Sequence, residues 1–134
     1  MTTNQITEKI IQAAIKVHRH FGSGLYEQVY AVSLALEIEA LGLKVAREVP
    51  ITAEYRGVKI EPAYRLDLLV EDHVIVEVKS IKRLQDIDRK QLLTYLGVAK
   101  LNVGLLLNFG ESKLIDGVVR IVRDFKEEPA LNPQ

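Results

Sequence analysis

The chain has 134 residues, 48% of them hydrophobic, which suits one core within one domain. It contains no cysteine, so disulfide frameworks, thiolate metal sites and cysteine nucleophiles are excluded. Eighteen basic residues balance eighteen acidic ones, so any electropositive surface for phosphate must be local.

No basic head followed by an apolar run opens the chain, and no signal peptide is expected. The longest apolar runs, such as Val103 to Leu107, fall far short of the ~20 residues a bilayer span needs. The expectation is a cytoplasmic protein with no membrane partner, in keeping with the lack of cysteine.

Ile6, Ile10, Ala13, Ala14 and Val17 recur at helical spacing, which predicts a helix over 5–21 capped by Thr3 or Asn4. The stretch Phe21-Gly22-Ser23-Gly24 breaks it. Tyr26, Val29, Tyr30, Ser33, Leu34, Leu36 and Leu41 predict a second helix over 25–41, with Gly42 at its C-terminal cap. Alternating, β-branched sequence then predicts a strand over 44–55, a turn at Arg56-Gly57 and a return beginning at 58–60. Two more strands, 64–70 and 74–79, are joined by Glu71-Asp72-His73. Helical spacing resumes over 86–98. The nearly all-apolar segment 103–108 reads as a central strand covered on both faces, and 118–122 as a last strand. A single domain over 1–125 and a frayed tail over 126–134 are expected. The order of elements gives an α/β or α+β fold with a mixed central sheet flanked by helices.

Chemistry concentrates in two neighbouring strands. In Val74-Ile75-Val76-Glu77-Val78-Lys79, alternation puts Glu77 and Lys79 on one face and the three valines on the other. A three-residue loop pairs Val70 with Val74 and so sets Asp67 opposite Glu77. Such a loop needs a left-handed residue, a role suited to Asp72 or His73. Two carboxylates ~5 Å apart across a ladder make a hard-oxygen site for Mg²⁺ or Mn²⁺. Lys79 beside them is placed to orient water or to neutralise charge on a phosphorane.

Asp67, nine intervening residues, then Glu77-Val78-Lys79 resembles the PD-(D/E)XK nuclease signature. Gly24-Leu25-Tyr26-Glu27-Gln28-Val29-Tyr30 is similar to the motif of the GxxExxY proteins, a bacterial and archaeal group of the same superfamily. The likeness runs from about His18 through Asn108-Phe109-Gly110 to Arg123. It implies a restriction-endonuclease-like core and metal-dependent hydrolysis of phosphodiesters in DNA or RNA. It implies Asp67 and Glu77 as Mg²⁺ or Mn²⁺ ligands with the Val78 carbonyl as a third, Lys79 as the catalytic lysine, and Glu27 as an additional ligand or its support. Gln91 and Tyr95 resemble the Q-x-x-x-Y motif of RecB-like nucleases and share one helix face. A homodimer is implied as well, since small nucleases of this type pair to cut two strands. One departure is the missing "PD" dipeptide: Arg65 stands two before Asp67 and Pro62 five before it.

Each motif has a plainer reading beside this one. Asp67, Glu77 and Lys79 read as a salt-bridge cluster on an open sheet face, against which the apolar neighbours argue for a covered sheet. Glu27 and Tyr30 read as helix surface and core, and Gln91 and Tyr95 as helix packing. His18 reads as a partner of its helix's C-terminal dipole. Lys79, Lys82, Arg83, Arg89 and Lys90 form a basic run that is either a solvated face or a phosphate contact. The alternative function is a nuclease-fold module that binds nucleic acid or a protein with little turnover.

Overall fold

Apolar periodicity decides where the elements lie in the computed structural model, which describes residues 1–124. Helix α1 (Thr3–Phe21) is capped by Thr2, one residue before the expected Thr3 and two before Asn4. The Thr2 hydroxyl accepts the Gln5 amide and the Gln5 side chain accepts the Thr2 amide, a reciprocal capping box. Helix α2 (Glu27–Ala40) starts two residues later than expected, because Gly24 and its neighbours form an extended turn. The expected tail, 126–134, lies outside the described residues.

Five strands follow: β1 (Val45–Tyr55), β2 (Val58–Val70), β3 (Val74–Lys79), β4 (Val103–Asn108) and β5 (Val118–Val122). Helix α3 (Asp86–Ala99) connects β3 to β4, and a short 3-10 helix (Leu114–Gly117) precedes β5. The strands lie in sequence order, with β3 and β4 parallel and the other neighbours antiparallel. This is the mixed sheet expected of an α+β fold. The segments read separately as 58–60 and 64–70 are one strand; Pro62 falls where β2 faces only β1 and the ladder is irregular, a place that tolerates a missing donor.

The sheet separates two apolar clusters. Val74, Val76, Val78, Leu105 and Leu107 pack against α1 and α2, while Ile75 and Leu106 pack with Leu92 and Leu96 of α3. Both faces of β4 are covered, as its continuous apolar run implies. Among the described residues no helix is long and apolar enough to cross a membrane.

One irregularity shapes everything that follows. Val45, Leu68 and Val70 belong to the α1/α2 side, whereas Val49, Ile51, Tyr64 and Leu66 belong to the α3 side. Residues two apart on a regular strand share a face. Both strands therefore exchange faces between the pairs Arg47↔Leu68 and Val49↔Leu66. Glu48 and Asp67 sit at that crossover, and Glu48 has a left-handed backbone, φ 54°.

Candidate active site

The site begins where the β2–β3 ladder stops. Backbone pairing runs Val70↔Val74, Leu69↔Ile75, Leu68↔Val76 and then ends. Side chains take over from the backbone. The Asp67 amide donates to Glu77 Oε2 at 3.1 Å, and the Val78 amide donates to Asp67 Oδ2 at 2.8 Å. The two carboxylates are thus brought together as the loop length requires, through reciprocal bonds to each other's strand. In that loop the left-handed residues are Glu71 and Asp72, with φ 54° and 56°, and not His73.

Glu77 is only 2% exposed. Burial, and then the charge of Asp67, push its carboxyl up to about 8. Burial also raises Asp67; the Val78 amide opposes that rise, Glu27 and Glu48 add to it, and Lys79 opposes it. Lys79 faces the same way as Glu77, with its Nζ 3.9 Å from Asp88 Oδ1. Asp88 is itself buried and accepts the Gln85 amide at 2.8 Å, which starts α3. The lysine is held at the site by the first turn of that helix. The open-sheet salt-bridge reading does not hold, because Glu77 is buried and both Asp67, at the interrupted ladder, and Lys79, beside α3, are half-buried.

Two tyrosines wall the α3 side. Tyr64 donates its hydroxyl to Glu77 Oε1 at 3.2 Å, and its ring stacks on Tyr95 with centroids 3.9 Å apart. Burial is the chief cause of a raised pKa in both. On the other side lies a cleft of ≈ 390 Å³ lined by Glu27, Gln28, Arg47, Glu48 and Asp67.

The glycine–glutamate–tyrosine segment has a mechanical account. Gly24 takes φ 107°, a conformation for which glycine is suited. The buried Tyr30 donates its hydroxyl to the Gly22 carbonyl at 2.6 Å and accepts the Leu25 amide at 3.2 Å. Ser80, directly after Lys79, donates to the Leu25 carbonyl at 2.6 Å. The turn is tied to both its own helix and the lysine strand, and Glu27 follows it at the edge of the cleft. Behind, Phe109 stacks on Tyr30 at 4.5 Å, and His18 Nε2 lies 2.8 Å from the Glu111 carbonyl. His18 is therefore a buried tether between α1 and the β4 end rather than a dipole partner facing water.

Asp67, Glu77, Lys79 and Tyr95 come together as the sequence suggested, and Glu27 reaches Asp67 electrostatically while remaining exposed. Gln91, one turn before Tyr95, is exposed. Sequence reasoning missed Tyr64, Glu48 and Asp88. The last had a signal, since Gln85-Asp86-Ile87-Asp88 matches a helix-start pattern. Among the described residues no three His, Cys, Asp or Glu side chains converge enough to enclose a metal ion by themselves. The donor chemistry nonetheless suits a hard cation. Asp67 commits Oδ2 to the Val78 amide, which leaves Oδ1; Asp67 raises Glu77, and Glu27 and Glu48 raise Asp67, a local negative excess that a cation would relieve.

A family model described as the PD-(D/E)XK nuclease superfamily matches residues 4–121. No curated protein and no solved structure matches the chain.

Proposed function

The chain belongs to the PD-(D/E)XK nuclease superfamily, and from that premise we propose that it is a divalent-metal-dependent nuclease that hydrolyses phosphodiester bonds in DNA or RNA. The observation that carries this reading is the reciprocally bonded pair of half-buried Asp67 and buried Glu77, with Lys79 on the same face of β3 as Glu77. The GxxExxY likeness belongs to the same proposal, supported by the role of Gly24, Glu27 and Tyr30 in one tied turn.

Asp67, Glu77 and the Val78 carbonyl would hold Mg²⁺ or Mn²⁺, with Glu27 at the margin. Such a cation supplies polarisation of the phosphoryl group and a lowered pKa for water. The chain's own groups do the rest. Lys79 stabilises the charge that grows on the phosphorane, and Asp88 fixes the direction of its ammonium. Tyr64 and Tyr95 cover Glu77 and keep bulk water from that side. Gln91, free of protein partners among the described residues, reaches for the substrate backbone from the rim.

The test joins binding to turnover. Thermal unfolding with and without Mg²⁺ or Mn²⁺ should show stabilisation of the wild type. Incubation with single- and double-stranded DNA and RNA should show cutting that Lys79→Ala removes. Absence of both metal stabilisation and cutting would leave the binding-module reading in place.

A further inference from the structure

The mouth of the site carries an aromatic and basic surface that the hydrolytic groups do not explain. Tyr26 is 87% exposed, the most exposed large hydrophobic side chain among the described residues, and it stands directly before Glu27. An exposed tyrosine on a loose turn would mean little. This turn is fixed from three directions, by the Tyr30 hydroxyl at two points and by Ser80 at Leu25. The backbone is rigid while the Tyr26 ring has no ring partner among the described residues.

The Ser80 bond also joins this turn to the segment after Lys79. There Lys82 and Arg83 are exposed and form no ion pair among the described residues. Tyr26 directly precedes Glu27, which lines the cleft ending on Asp67. Lys82 and Arg83, just past the Ser80 tether, line a separate pocket with Asp88, the partner of Lys79. A free ring and unpaired cations disposed this way match what an unpaired strand presents. Bases stack on an aromatic face while phosphates meet the cations. A duplex hides its base faces and is held largely by neutralising many phosphates, which a chain of zero net charge is poorly equipped to do.

We infer that the substrate is a single-stranded nucleic acid, one base of which stacks on Tyr26 while Lys82 and Arg83 hold neighbouring phosphates. The inference rests on the nuclease reading and adds the strandedness of the substrate to it.

The test uses the full chain and fluorescence anisotropy in EDTA. The probes are a labelled single-stranded DNA, the RNA of the same sequence, and the DNA duplex. Tyr26→Ala should weaken single-strand binding about tenfold, the scale of one base–aromatic stack, and leave duplex binding and thermal unfolding unchanged. Tyr26→Trp should retain binding. Lys82→Ala and Arg83→Ala should each reduce the salt dependence by roughly one phosphate contact, a slope change of about 0.7. The DNA and RNA arms identify the sugar. Equal loss on strand and duplex, or no loss on the strand, overturns the inference and leaves the nuclease reading standing if Mg²⁺-dependent cutting persists. A wild type that neither binds nor cuts any of the probes removes both.

Discussion

Replacing Glu77 with glutamine takes away a charge and almost no volume. In the metal-free protein, burial and Asp67 raise the Glu77 carboxyl from 4.5 to about 8. The folded pKa lies above the unfolded one, so the favourable contribution is complete below about pH 4.5 and is lost as pH rises through about 8. At pH 7 the folded chain retains a proton that the unfolded chain has released, a cost of about 3 kcal/mol at 1.36 kcal/mol per unit. Glutamine carries no such cost. Its carbonyl accepts the Asp67 amide and its NH₂ donates to the Tyr64 oxygen, so both observed partners are kept. Glu77→Gln should therefore stabilise the EDTA-treated protein at pH 7 by about 3 kcal/mol, on the order of 10 °C in Tm, and do almost nothing at pH 4. Mg²⁺ should narrow the gap by stabilising the wild type, by about 2.7 kcal/mol at a hundred times its Kd, while leaving the variant unmoved. Urea or thermal unfolding from pH 4 to 8 decides the matter. A stability difference that stays constant across that range would refute the reasoning.

Three further substitutions test other parts of the site. Lys79→Ala should lower kcat by roughly 100-fold or more while thermal unfolding and Mg²⁺ stabilisation stay near wild type, because its charge acts mainly in the transition state; single-turnover kinetics beside melting curves check this. Tyr30→Phe strips the hydroxyl from the Gly22 carbonyl and the Leu25 amide and should cost about 1–3 kcal/mol of stability, measured by urea unfolding, with faster hydrogen exchange at Leu25. Gly110→Ala would drive a Cβ into the backbone carbonyl of Ile81, which cannot swing aside; a loss of about 1–3 kcal/mol, or failure to fold, should appear on melting.

Much of this arrangement is legible in residue order. The alternation in 74–79 put the three valines on one face, which packs against α1 and α2, and Glu77 and Lys79 on the other. The three-residue loop correctly set Val70 opposite Val74, which carries Asp67 to Glu77. What residue order hides is conformation that no local pattern encodes. Glu48 adopts a left-handed backbone although its side chain gives no hint of it, and that residue lies at the crossover where β1 and β2 trade faces. Tyr64 meets Glu77 only because of that exchange, since it brings Tyr64 and Leu66 to the α3 side. Tyr30 looked like core and is core, yet its hydroxyl is what secures the turn before Glu27. A polar tip on a buried ring finds a partner, but composition does not say which one.

The acids at this site have two duties, and these pull a mutation in opposite directions. Glu77 and Asp67 occupy backbone amides that the interrupted ladder would otherwise have satisfied. Removing either carboxylate by alanine relieves repulsion between buried Glu77 and half-buried Asp67, and it also strands an amide, at a cost of about 1–3 kcal/mol where the group is buried. The two contributions are similar in size, so an unchanged melting temperature in Asp67→Ala or Glu77→Ala is compatible with a strongly coupled pair. The same logic limits how a cation is accommodated. A cation that drew both carboxylates entirely away would orphan the Asp67 and Val78 amides, whereas one held through the remaining oxygens leaves the strand ends bonded. If the proposed cation binds, strand pairing, carboxylate ionisation and cation binding form one linked equilibrium at the end of β3, and glutamine, which keeps the bond and removes the charge, is the substitution that separates them.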